Sequence, residues 1–430
     1  MFGYRDVFHE TVLEKMMYSK DEHLPVILTA QDCDCDNLEK CVEKMGGKVK
    51  HKLHIINAVA AYIPTAGMRS ASNERFINKV YLDDMVLKLM DTASVTIGGD
   101  YANGLGLTGK GVGIAVVDTG VYPHNDLVTP NNRIIGFKDF VNNKTAPYDD
   151  DGHGTHVAGI IAGNGFSSSG RYIGVAPDAD IVGIKVLDGE GSGSISDVIA
   201  GVQWAVQNKN RYNIKIINMS LGSKAKSSYK DDPLCQAVQK AIDSGIAVCA
   251  AAGNSGPDSG TINSPATNPN ALVVGASNNK NPSSNGTVAK FSSRGPTIDG
   301  LNKPDVLAPG VDITSLGNED NNYKTLSGTS MATPIVSGAC ALLHEYKKNL
   351  SPQDLKKLIT EHADSLDLDR NTQGYGVLNL KSILASLSPD QKEVSPPPLR
   401  HNGNASGLMA FLKKNEWLFA ILIVFLLIIL

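Results

Sequence analysis

The sequence predicts an α/β protein whose main body is a doubly wound, mostly parallel sheet. Two observations carry that prediction. The runs Gly113–Asp118, Ile181–Leu187, Ile214–Met219, Ile246–Ala251 and Ala271–Ala276 are almost wholly apolar, as strands covered on both faces must be. Helical periodicity alternates with them. One stretch starts at Ser196 and carries Val198, Ile199, Val202, Ala205 and Val206 on one face; another runs from Pro233 through Leu234, Val238, Ala241 and Ile242 and stops before Gly245.

Taken in order, residues 1–22 form an extension without clear pattern. Residues 23–90 read as a small α+β unit. Pro25–Ala30 is a strand, and Asp34 or Asp36 caps a helix with Leu38, Cys41, Val42 and Met45 inward, ended by Gly46 and Gly47. A strand pair follows around Lys48–His51 and Leu53–Ile63, then a short helix near Ser72–Phe76 and a strand over Ile77–Leu82. The order β-α-β-β-α-β is that of a ferredoxin-like sandwich. Residues 91–104 are polar and Gly-containing, which marks a linker. The α/β body spans 105–388, a Pro- and Gly-rich linker 389–407, and an apolar tail 408–430.

At 430 residues the chain has length for two or three domains and a large core. Its 40 basic and 44 acidic residues nearly cancel, and the absence of a long basic run argues against a nucleic-acid partner. The six cysteines are scattered; the spacing of Cys33, Cys35 and Cys41 matches no common metal pattern, so a reducing compartment is expected. The amino terminus lacks the apolar stretch of a secretory signal. Trp417–Leu430 is unbroken apolar sequence, about 21 Å as a helix. The expectation is a carboxy-terminal membrane anchor, with Lys413 and Lys414 holding the body on the cytoplasmic side.

Four segments carry chemistry. Asp118 ends the first core strand, where the catalytic groups of open α/β sheets gather. His153 lies in Asp149-Asp-Asp-Gly-His-Gly-Thr-His-Val-Ala-Gly159. Its spacing to His156 lacks the i,i+4 pair and intervening glutamate of zinc peptidases, so a general base held by a carboxylate is favoured over a metal ligand. His156 is expected in the core. Asn254 follows another buried strand, where its amide could donate to a developing oxyanion. Ser330 sits in Gly328-Thr-Ser-Met-Ala332, ahead of a helix marked by Ile335, Val336, Ala339, Leu342 and Leu343. Pro334 is placed in the first turn, where it has no N–H bond to lose. A G-x-S-x-G elbow hydrolase orders its groups Ser, acid, His; here the order is Asp, His, Ser, the order known from subtilisin.

On these four motifs, residues from about 110 to 380 resemble the subtilisin-like serine proteases. Pro123–Leu127, Asn142–Asp149 and Gly174–Pro177 are similar to the AprX-like bacillar branch. The resemblance implies a serine endopeptidase with an acyl-enzyme on Ser330. His153 would be the base, Asp118 would hold its tautomer, and Asn254 would join the Ser330 N–H in the oxyanion hole. It implies a peptide strand between Gly191-Ser192-Gly193 and Ser220-Leu221-Gly222, and an apolar pocket lined by Ala251, Ala252 and Gly253. It implies no cofactor for catalysis and a structural calcium, with Asp126 as candidate ligand. It makes the 23–90 unit a self-cleaved inhibitory propeptide. One departure matters: Ser255 follows Asn254 where many relatives carry an acid, so a preference for basic residues loses support. A silent binding protein on the same fold is disfavoured because all four catalytic positions are filled.

Overall fold

The structure, a computed structural model, describes residues 7–8, 12–13, 16, 23–30, 35–53, 58–74, 76–82, 97–278 and 286–387. The chain divides into two compact units, Met1–Met90 and Asp91–Leu430. In the first, strands β1 (His23–Ala30), β2 (Lys48–Leu53), β3 (Ala58–Pro64) and β4 (Ile77–Leu82) form an antiparallel sheet in the order β2-β3-β1-β4. Helix α1 (Cys35–Lys44) buries Cys35, Leu38, Cys41 and Val42. The helix expected near 72–76 lies earlier, as α2 (Thr65–Met68) and a 3-10 turn over Arg69–Asn73. Met68 and Ala71 pull that segment onto the small core, an attraction its weak periodicity does not display.

The second unit is built on seven parallel strands: β5 (Gly113–Asp118), β6 (Ile134–Asp139), β7 (Asp180–Lys185), β8 (Ile214–Met219), β10 (Ala247–Ala251), β12 (Leu272–Ser277) and β13 (Val306–Pro309). The two-residue strands β9 (Ser223–Lys224) and β11 (Asn263–Ser264) pair with each other, and β14 (Ile313–Leu316) pairs with β15 (Tyr323–Leu326). The sheet order is β13-β12-β10-β8-β5-β7-β6. Every residue of β5 is buried, and its side chains alternate between two cores, Ile114 and Val116 in one, Ala115 and Val117 in the other. The first core packs under helices α3 (His153–Ala162) and α6 (Thr329–Tyr346), the second under α4 (Ile195–Gln207) and α5 (Pro233–Asp243). That is the doubly wound layering the apolar runs predict.

Local chemistry sets the helix starts. Ser194 accepts the Asp197 N–H, and Asp232 accepts the Leu234 and Cys235 N–H groups ahead of Pro233. After β5 the chain moves toward β6, whereas after β8 it moves toward β10. The carboxyl ends of these adjacent strands therefore open a crevice, the place where ligands of such sheets bind.

Three expectations are corrected here. The stretch 91–104 is not simply a linker: Gly99–Gly104 is helical, Ile97 and Ala102 are fully buried, and the Leu380 N–H donates to the Ile97 carbonyl at 2.7 Å. Pro334 stands at the sixth helical position of α6, not in the first turn. Its missing N–H frees the Ser330 carbonyl, which accepts the Ser220 hydroxyl at 2.9 Å. Third, no helix among the described residues is long and apolar enough to cross a membrane. The 408–430 run lies outside those residues, so the expected membrane anchor, and the tethered cytoplasmic location that rested on it, are withdrawn.

Candidate active site

Asp118 closes β5 at the crevice and is fully buried. Its Oδ1 accepts the Thr119 N–H at 2.8 Å and faces His153 Nδ1 at 2.7 Å. A carboxylate can only accept, so Nδ1 carries the proton and Nε2 is left as the acceptor. His153 is the first residue of α3, and its side chain keeps 26% exposure toward the cleft.

The loop that delivers His153 is organised by Asp149. Its Oδ1 accepts the Gly152 N–H at 2.9 Å, and its Oδ2 accepts the Thr155 N–H at 2.9 Å and the Thr155 hydroxyl at 2.6 Å. The carboxylate thereby satisfies free N–H groups at the helix start. Gly154 is required by space: a Cβ there would lie 2.2 Å from the Gly120 carbonyl oxygen and 3.1 Å from Asp118 Cβ. Nearby, Lys185 is fully buried and spans the Asp150 carboxylate and the Thr119 and Leu187 carbonyls, at 2.5, 2.6 and 2.8 Å, tying the loop to the end of β7.

Burial opposes charge on His153, but the adjacent Asp118 carboxylate outweighs it, aided by Asp151 and Asp149, and raises the imidazole to about 9. Since only the neutral ring accepts a proton, kcat/KM for a peptide substrate is expected to climb about tenfold per pH unit and level off near pH 9. A profile flat from pH 6 upward would contradict this. His156 behaves oppositely. It is buried, Nε2 lies 3.1 and 3.0 Å from the Ile313 and Lys324 carbonyls, and burial pushes it down to about 4. It is a core residue.

Ser330 is the second residue of α6. Its hydroxyl donates to the Ser220 carbonyl at 3.1 Å. The backbone beneath is locked by a buried chain of hydrogen bonds. The Ser337 hydroxyl donates to Asn218 Oδ1 at 2.8 Å, Asn218 Nδ2 to Ser220 Oγ at 3.0 Å, and Ser220 Oγ to the Ser330 carbonyl.

Asn254 is oriented by Thr329. Its Oδ1 accepts the Thr329 N–H at 2.9 Å and hydroxyl at 3.0 Å, which turns Nδ2 the other way. Gly253, with φ 113°, makes the bend that presents it. The sequence motifs assign no role to Thr329 or to the Ser337–Asn218 chain. The only hint at Thr329 is its place between Gly328 and Ser330.

A cleft of about 490 Å³ is lined by His153 together with Gly191, Ser192, Gly193, Ser220, Leu221 and Gly222. An adjoining pocket of about 280 Å³ is lined by Ala251, Gly253, Asn254 and Ser330. Ala252 does not reach it. That side chain is fully buried in the second core, because alternate residues of an extended segment face opposite ways. The expectation for Ala252 is corrected accordingly.

The surroundings of Asp126 do not suit calcium. Its Oδ1 accepts the Ser167 N–H at 2.7 Å, its Oδ2 accepts the Tyr323 hydroxyl at 2.8 Å, and His124 packs beside it. Calcium asks for six to eight oxygen ligands, whereas both Asp126 carboxylate oxygens are taken by the Ser167 N–H and the Tyr323 hydroxyl, and His124 offers a ring nitrogen that accepts the Asp126 N–H. In full-length protein carrying Ser330→Ala, adding Asp126→Asn is expected to leave the difference in Tm between excess calcium and excess chelator unchanged. A difference that disappears with Asp126→Asn would restore Asp126 as a calcium ligand.

A buried carboxylate bonded to an imidazole, a serine at a helix start and an amide beside it, all at the carboxyl edge of a parallel sheet, define a serine hydrolase of the subtilisin type. The sequence comparisons agree. The family model described as Subtilase family, Peptidase S8, matches residues 109–377, and the chain belongs to that family of serine proteases. It is 46% identical over 359 residues to "Serine protease AprX" of Bacillus subtilis (strain 168), covering 78% of this chain and 80% of that protein. It is 39% identical over 281 residues to "Subtilisin Savinase" of Lederbergia lenta, covering 65% and 93%. Among solved structures, "Sphericase" matches with TM-score 0.56 at 36% identity, over 63% of this chain and 92% of that one. A cold-adapted subtilisin-like serine proteinase matches with TM-score 0.51 at 37% identity, over 64% and 88%.

Proposed function

We propose that this subtilase is a self-processing endopeptidase acting through Asp118, His153, Asn254 and Ser330. The observation that carries the assignment is the 2.7 Å contact between His153 Nδ1 and buried Asp118, which leaves Nε2 basic at the cleft. Ser330 Oγ attacks the scissile carbonyl carbon, forming a C–O bond as its proton passes to His153 Nε2. The carbonyl oxygen becomes an oxyanion, held by the Asn254 amide and the Ser330 N–H at the helix start. Collapse breaks the C–N bond, and the leaving amine takes the proton from His153. Water, activated by the same base, then releases the acyl group.

Substrate would lie as an added strand along Gly191–Gly193 and Ser220–Gly222. The small residues Ala251 and Gly253 favour broad specificity with an apolar side chain before the cleaved bond. The first unit is assigned as a propeptide that inhibits the enzyme and is then cut away. Its compact four-stranded antiparallel sheet, placed ahead of the α/β body in the chain, supports that role.

Comparing casein hydrolysis and self-cleavage near residue 90 in wild type and Ser330→Ala tests the reading; equal behaviour would overturn it. Asn254→Ala is expected to lower kcat by roughly 10²–10³-fold with little change in KM, a size known from subtilisin's own oxyanion asparagine. An unchanged kcat would remove Asn254 from the oxyanion hole.

A further inference from the structure

The edge of the seven-stranded sheet where the strands begin holds a second concavity, of about 380 Å³. Lys110 in the turn before β5, Asn213 and Lys215 at the start of β8, and His344, Glu345 and Lys348 around the end of α6 line it. A six-residue strand spans about 20 Å, so this pocket lies that far from the crevice of Asp118 and Ser220.

Helix ends attract lysines for electrostatic reasons alone, and the balance of charge decides whether that is enough here. The carboxyl end of α6 contributes about half a negative charge, and Glu345 contributes one. Its Oε2 is already engaged, accepting the Thr108 and Gly109 N–H groups at 2.7 Å each. Three ammonium groups exceed that total by about 1.5 charges. His344 is the more specific feature. It is 7% exposed, lines the pocket, and has no hydrogen-bond partner among the described residues. Burial, and then the Lys215 ammonium, push it down to about 4. Its ring is therefore neutral at pH 7, with one N–H to donate. An imidazole N–H that reaches the pocket beside three lysines suits a compact anion with several acceptor oxygens.

We propose that this pocket binds a phosphate group, at a site separate from that of peptide hydrolysis. Lys110, Lys215 and Lys348 supply the charge and His344 the neutral donor. Calorimetric titration tests this with full-length protein carrying Ser330→Ala, at low ionic strength, using inorganic phosphate, pyrophosphate and phosphoserine as probes. Saturable binding of one equivalent is expected. Tighter binding of pyrophosphate would assign the site to free inorganic anions, and tighter binding of phosphoserine to a covalently carried phosphate. The exposed pair K110Q/K348Q, and separately K215Q, should each weaken binding about tenfold or more. The control K240Q/K357Q should bind as the parent does. The same lysine substitutions placed in the Ser330 enzyme should leave peptide hydrolysis unchanged. Unsaturable binding, or unaltered affinity in both lysine variants, would overturn the proposal.

Discussion

Ser330→Ala is expected to lower peptide turnover by roughly 10⁶-fold, a size known from subtilisin's own serine rather than read from these distances. The substitution removes the proposed nucleophile. The helix start, the Asn254 amide and the cleft remain, so KM should move little and a residual rate of roughly 10³–10⁴-fold over water should persist. The stability of the variant should match the parent, because the lost hydroxyl makes one hydrogen bond, to the Ser220 carbonyl. A drop in kcat below tenfold would exclude Ser330 as the nucleophile.

Asp118→Asn is expected to cost roughly 10⁴-fold in kcat, again a size known for the serine-protease triad. The amide fits the same space, but it can donate toward Nδ1, which favours the tautomer with its proton on Nε2. That tautomer cannot receive the Ser330 proton. The pH profile separates this from a general loss of packing. The Asp118 carboxylate is the main influence raising His153, so its removal should shift the rising limb of kcat/KM to lower pH. A loss of rate with the limb still near pH 9 would assign the elevation to Asp151 and Asp149 instead.

The two units differ in how far their sequences disclose their structure. Strands β5, β7, β8, β10 and β12 are legible because a strand buried on both faces has to be apolar throughout. β6 and β13 are not. β6 lies at the edge of the sheet, with only its end residues buried, and β13 has four residues ending in Pro309. The short helix of the first unit is displaced because its two anchors, Met68 and Ala71, acquire meaning only from the core they enter.

The site follows the same division. Asp118, His153, Asn254 and Ser330 are recognisable because each needs one residue type in a short local setting, and their chain order excludes the elbow hydrolases. What holds them is invisible from local pattern. Thr329 meets Asn254 across 75 positions, Ser337 meets Asn218 across 119, and Tyr323 claims Asp126 across 197. Any threonine, serine or tyrosine satisfies a local pattern equally well, and only the folded chain selects the one within bonding distance.

The sequence by itself determined the doubly wound body and the family, and it named the four side chains proposed to react, since apolar runs and reactive groups are local chemical demands. Only the tertiary structure decided which polar atoms are spent on one another. It turned Ala252 into the core and gave Asp126 to Ser167 and Tyr323. It used the gap left by Pro334 to seat the Ser330 carbonyl on Ser220. Hydrogen-bond saturation is a property of the whole fold, because a buried donor takes whichever acceptor the chain brings within about 3 Å.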